Sequence, residues 1–134
     1  MIIDTNIIIE LLRGENKEVI KKIRSKFIEG TLVYITSISI AEVYYGCEKS
    51  QHKVKSYSNF KGLLNNSNIK VLDFNSHHAK IFGILKNKLT KSGSIIDNTD
   101  LFIASIALQE KMPIFTLDKK HFPRLEKYDL EILS

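Results

Sequence analysis

Four carboxylates stand apart from the other acids of this chain because each sits in apolar company: Asp4, Glu42, Asp100 and Asp118. Asp4 interrupts "MIIDTNIII" where strand-like sequence turns into helix, a place where an aspartate also serves as a helix cap. Glu42 lies in "SISIAEVYYG", with Ile38 and Tyr45 sharing its helical face and Ala41 and Val43 beside it. Asp100, in "NTDLFIASIAL", shares a face with Ile103, Ala104 and Ala107, the side a helix normally buries. Asp97 reads differently, as the N-cap of that helix, with Asp100 placed three residues on where it could complete a capping box. Asp118 follows Thr116 by two residues, so alternation turns both side chains one way if the strand runs that far; taken alone it equally suits a turn before "KK".

Electrostatics limits what four converging acids can do. Two carboxylates about 5 Å apart repel by roughly 3 kcal/mol at an effective dielectric of 20, and the pairs among four sum to on the order of 20 kcal/mol. Whole domains are stable by only about 5–15 kcal/mol, so such a cluster must hold protons, spread apart or bind cations. An all-oxygen donor set selects a hard ion, Mg²⁺ with Mn²⁺ as substitute, which keeps waters and accepts phosphate oxygens. That chemistry suits phosphodiester cleavage.

The elements that must position these acids alternate. Residues 1–5, 32–36, 69–74, 113–118 and 130–134 are short β-branched or apolar runs and are expected as strands. Helical periodicity covers 16–28, 39–49, about 51–64, 76–89 and 97–111. Strands separated by helices imply a parallel sheet with helices on both faces, in which ligands bind beyond the carboxyl ends of the strands where the strand order reverses. Asp4 and Asp118 end the first and fourth strands, and Asp100 opens the helix leading into the fourth.

With 134 residues, 43% hydrophobic and 26% charged, the chain is expected to fold as a single domain spanning residues 1–134. No apolar run approaches the length needed to cross a bilayer, and Met1 leads into strand without a basic leader, so a cytoplasmic location and no membrane association are expected. The single cysteine, Cys47, reads as a small core residue. Net charge is +5, and setting the four acids aside leaves 11 of the 15 acidic residues against 20 basic ones, a balance that fits a polyanionic partner.

The same segments resemble the PIN-domain ribonucleases, in particular the toxins of VapBC toxin-antitoxin pairs. "IIDTNIIIELLRG" is similar to their opening strand and helix, "ITSISIAEVYYGCEKS" to the segment carrying the glutamate, "NTDLFIASIAL" to the helix with the third acid, and "IFTLDKKHF" to the closing strand and loop. The resemblance implies a three-layer α/β/α fold with a five-stranded parallel sheet. It implies an Mg²⁺-dependent endoribonuclease cutting tRNA or rRNA, a homodimer, and a small antitoxin that blocks the acidic pocket. Asp4, Glu42, Asp100 and Asp118 fall on the acidic positions, with Asp4 and Asp100 as the foremost metal ligands; Asn6 and Thr116 fall on polar positions that support the site.

Competing readings lack their marks. A haloacid-dehalogenase-like phosphatase needs an aspartate where Asn6 stands, a receiver module needs paired acids after the first strand, and a dinucleotide binder needs a glycine-rich loop there. A PIN nuclease of RNA processing, or a silent RNA- or partner-binding module, remains as the alternative. His77, His78 and His121 are expected to be structural or superficial, and Tyr44 and Tyr45 to pack in the core or a dimer interface.

Overall fold

Ile2 and Ile3 are adjacent and wholly buried, yet they belong to different cores. Successive strand residues point to opposite faces, so a strand buried on both sides needs consecutive apolar residues and a covering layer on each face. In the computed structural model, which describes residues 1–134, that strand is β1 (Ile2–Ile3) at the centre of a five-stranded sheet.

The elements run β1, α1 (Thr5–Arg13), α2 (Lys17–Ile28), β2 (Val33–Thr36), α3 (Ser37–Lys49), α4 (Lys53–Leu64), β3 (Ile69–Leu72), α5 (Ser76–Lys91), α6 (Asn98–Glu110), β4 (Ile114–Phe115), a 3₁₀ helix (Phe122–Tyr128) and β5 (Ile132–Leu133). The sheet order is β3-β2-β1-β4-β5 and every pairing is parallel. One core places Ile3, Val33, Ile35 and Phe115 against α1 to α4; the other places Ile2 and Ile114 against α5, α6 and the 3₁₀ helix. This is the α/β/α arrangement with five parallel strands expected from the alternation of elements.

Strand β1 hands the chain to β2 on one side, while β4 pairs on its other side, with Ile2 opposite Ile114 and Ile3 opposite Phe115. The order therefore reverses between β1 and β4, and a crevice forms beyond their carboxyl ends. Chain stops reinforce the geometry. Gly14, at φ 76°, ends α1 in the left-handed region that glycine adopts without a Cβ penalty, and its N–H bonds the Glu10 carbonyl. No helix is long and apolar enough to cross a membrane.

One expectation needs correction. The strands are shorter than their apolar runs, and β4 in particular ends at Phe115, before Thr116 and Asp118. Residues 122–128, to which the sequence pattern assigned no element, form the 3₁₀ helix, with Phe122 and Leu125 driven into the core.

Ile3→Ala should cost about 2–5 kcal/mol, the range for deleting buried branched side chains. Ile28→Ala, at a position 88% exposed, should stay within about 0.5 kcal/mol. Urea midpoints of the two variants check the contrast.

Candidate metal centre

Asp4 is the first residue beyond β1 and the N-cap of α1. Its Oδ1 accepts the Ile7 N–H at 3.0 Å, and its own N–H donates to the Phe115 carbonyl at 3.3 Å. The Thr116 hydroxyl, just beyond β4, donates to Oδ2 of Asp4. Only 3% of Asp4 is exposed, and burial raises its pKa. The Thr116 and Ile7 bonds oppose that rise, while the negative charge of Asp118 adds to it. The capping and site readings of Asp4 are thus compatible, since one oxygen caps the helix and the other faces β4.

Asp118 is held by its own loop. Because β4 stops at Phe115, alternation does not orient it; its N–H instead donates to Thr116 Oγ1 at 2.9 Å. Its Oδ1 accepts from Lys120 N–H at 2.8 Å, and its Oδ2 from His121 and Phe122 N–H, each at 3.0 Å. Burial pushes the Asp118 pKa up, but those three backbone donors, with His121 alongside, outweigh it and the net direction is down. The turn-forming reading of Asp118 therefore also holds.

Asp100 lies in the first turn of α6, and Asp97 caps that helix by accepting the Thr99 N–H at 3.1 Å. Asp100 does not complete a capping box; it turns toward Asp118 and His121. Its apolar face-mates Ile103, Ala104 and Ala107 are buried as their spacing predicts. Burial, then the charges of Asp118, Asp97 and Glu42, push its pKa up to about 6 against the pull of His121.

Glu42 departs from expectation by being exposed: its apolar neighbours share its helix without covering it. Its Oε1 accepts the Thr5 hydroxyl at 2.6 Å. Thr5 Oγ1 is also 3.0 Å from Ser39 Oγ, and one hydroxyl carries one proton, so a Thr5 that donates to Glu42 accepts from Ser39. Thr36, the N-cap of α3, completes this chain by donating to Ser39 Oγ at 3.3 Å. Asn6 has an exposed side chain and meets Asp4 through its backbone N–H alone.

The fold brings Asp4, Asp118 and Asp100 to the β1/β4 crevice, with Glu42 at its rim. The tightest group of potential donors, within 4.8 Å of one another, is Asp100, Asp118 and His121. Asp4 and Glu42 lie outside that group. His121, expected to be structural or superficial, instead sits among the acids, with Nδ1 3.3 Å from Asp100 Oδ2 and 3.7 Å from Asp118 Oδ2. Its spacing of three from Asp118 in "DKKHF" was the available signal. His78 does behave structurally: it is 1% exposed, completes a capping box with Asn75, and meets Glu110 at 2.8 Å. Tyr44 stacks on Tyr57 and edges Phe60, whereas Tyr45 is 65% exposed. Oxygen donors from Asp100 and Asp118 converging in a partly buried, net-negative crevice fit a divalent cation.

A parallel sheet with an acidic crevice at its topological switch defines the class, and the family comparison agrees with it. The profile of the PIN domain matches residues 1–128, and the chain belongs to that family. A ribonuclease VapC2 of Rickettsia felis is 35% identical over 99 residues, covering 74% of this chain and 72% of that protein. A tRNA(fMet)-specific endonuclease VapC of Shigella flexneri is 29% identical over 123 residues, covering 92% of this chain and 89% of its own length. Among solved structures, VapBC2 of Rickettsia felis bound to a promoter DNA fragment superposes with a TM-score of 0.88 at 28% identity, covering 98% of this chain and 96% of that one.

The raised Asp100 pKa fixes a sign. The folded protein holds this proton more tightly than the unfolded chain, so the contribution to stability is fully present below pH 3.8 and is lost as pH rises through 6. Asp100→Asn should therefore stabilise the metal-free protein at pH 7.5 by about 1–3 kcal/mol, and by much less at pH 4. Thermal melts at both pH values check this; added divalent cation should raise the melting temperature of the parent chain more than that of the variant.

Proposed function

We propose that this PIN domain is a metal-dependent endoribonuclease acting as the toxin of a cytoplasmic toxin-antitoxin module, with Mg²⁺, or Mn²⁺ in its place, as the ion. The observation that carries the reading is the convergence of Asp4, Asp100 and Asp118 on the β1/β4 crevice, with Asp4 and Thr116 bonded across 112 residues of sequence. The relatives named as ribonucleases support the same activity, and the Shigella flexneri enzyme supports tRNA as the substrate class. The VapBC complexes among the structural neighbours support a cognate antitoxin partner; the homodimer is carried over from the family resemblance alone.

In this reading Asp100 and Asp118 hold the ion and Asp4 stands behind them, its position fixed by Thr116 and the α1 N-terminus. A bound divalent cation supplies Lewis-acid polarisation of a phosphoryl oxygen. Glu42 is exposed and already accepts one hydroxyl proton from Thr5, so it can orient an incoming water and draw on its proton. A cleft of about 400 Å³ that Glu42 lines together with Arg13, Lys49 and Asn59 gives a phosphate backbone cationic and amide partners beside that glutamate.

Expression of the parent chain should arrest growth and create new RNA 5′ ends, readable by sequencing. Asp4→Asn keeps a competent helix cap but removes charge, and it should reduce cleavage by about 100-fold while leaving the circular dichroism spectrum unchanged. Equal arrest from both forms would count against nuclease toxicity. Asp97→Asn should retain cleavage, since its role is to cap α6.

A further inference from the structure

His121 contributes the nitrogen donor in a crevice otherwise built of carboxylates. Its Nδ1 stands 3.3 Å from Asp100 Oδ2 and 3.7 Å from Asp118 Oδ2. Charge-assisted N–H···O bonds run at about 2.7–2.9 Å, so neither separation is that of a tight ion pair. Adjacent ligands on an ion with bonds of about 2.1 Å stand about 3 Å apart, and opposite ones about 4 Å. His121 Nδ1, at 3.3 and 3.7 Å from the two carboxylate oxygens, falls between those separations, and donor atoms of all three residues lie within 4.8 Å of one another.

The backbone that carries the ring is fixed. The His121 N–H is tied to Asp118 Oδ2 at 3.0 Å, and the residue is the N-cap of the 3₁₀ helix, which carries a proline in its first turn. Phe122 and Leu125 anchor that helix, being 1% and 0% exposed. The ring therefore has only its own side-chain rotations to settle when an ion arrives.

We propose that His121 Nδ1 is a further ligand of the divalent ion held by Asp100 and Asp118, and that it shifts the preference of the site from Mg²⁺ toward Mn²⁺; this rests on the metal-centre reading above. Magnesium gains little from exchanging a water for imidazole, whereas a first-row transition ion binds nitrogen more readily. An all-oxygen crevice would discriminate less in this direction.

Electron spin echo modulation of Mn²⁺ bound to the full chain reads the bond directly. ¹⁴N coupling is expected in the parent protein and should be lost in His121→Gln and His121→Ala. Calorimetric titrations should show Mn²⁺ binding weakened about tenfold or more in both variants, with Mg²⁺ binding changed by less than about twofold. Mn²⁺ that binds, is lost in Asp100→Asn, and shows no ¹⁴N coupling in the parent would overturn the His121 assignment while leaving the metal centre standing. Equal weakening of both ions in the two variants would overturn the selectivity. Absence of any Mn²⁺ binding sensitive to Asp100→Asn would remove the metal centre itself, and this assignment with it. The spin-echo measurement needs only the parent protein, so a variant that failed to fold would not blunt the test.

Discussion

The Asp4 carboxylate ties the two strands at the switch point to the first helix. One oxygen accepts the Ile7 N–H and the other accepts the Thr116 hydroxyl, while the Asp4 N–H donates to Phe115. β1 has only Ile2 and Ile3 to pair with β4, so this polar clasp continues the β1/β4 junction past the last ladder residues. Thr116 extends the clasp by accepting the Asp118 N–H, which sets the loop that carries His121. The crevice and the strand ends that define it are therefore one hydrogen-bonded unit, and its cost is a nearly inaccessible carboxylate whose pKa burial raises.

That cost has to be met elsewhere, and the two cores do so. The sheet is apolar on both faces, with Ile2, Ile3, Val33, Ile35 and Ile114 all fully buried. Fully burying one such side chain is worth about 1.5–3 kcal/mol, comparable with the repulsion between one close pair of carboxylates at an effective dielectric of 20. A thin sheet with short strands can thus carry a clustered charge at one end because helices cover both faces of its centre.

What the sequence made legible follows from which signals are local. Asp97 and Asp100 were separable because capping depends on position along a helix, whereas burial depends on position around it; Asp97 caps α6 and Asp100 is partly buried without completing a capping box. The helix starts were less sharp: Asn16 and Thr36 cap α2 and α3 through bonds to Val19 and Ser39 N–H, whereas periodicity alone placed those helices from 16 and 39. Glu42 was harder, because apolar neighbours on a helix predict burial only if something lies over that face, and here the crevice rim leaves it open. Thr5 and Ser39 were invisible as a pair, since their contact spans 34 residues and neither sits in an unusual local pattern. His121 was missed because the strand was carried to Asp118; a strand ending at Phe115 makes Asp118 the start of a turn and brings the residue three later back over it. The 3₁₀ helix at 122–128 is too short for periodicity to register.

The hydrogen bonds around the four acids also divide their labour. Asp118 is satisfied by three backbone N–H groups, Asp4 by a helix N-terminus and a hydroxyl, and Glu42 by a hydroxyl and solvent. Asp100 has no N–H or hydroxyl within bonding distance, only the more distant ring of His121, and it is the acid whose pKa climbs to about 6. A carboxylate held in apolar company without internal donors carries its charge at neutral pH only at a cost, and a nearby cation offsets that cost. Compensating the other three from within and leaving this one open concentrates the demand for positive charge at a single point. That point lies between α6 and the loop after β4, where Asp118 and His121 already converge.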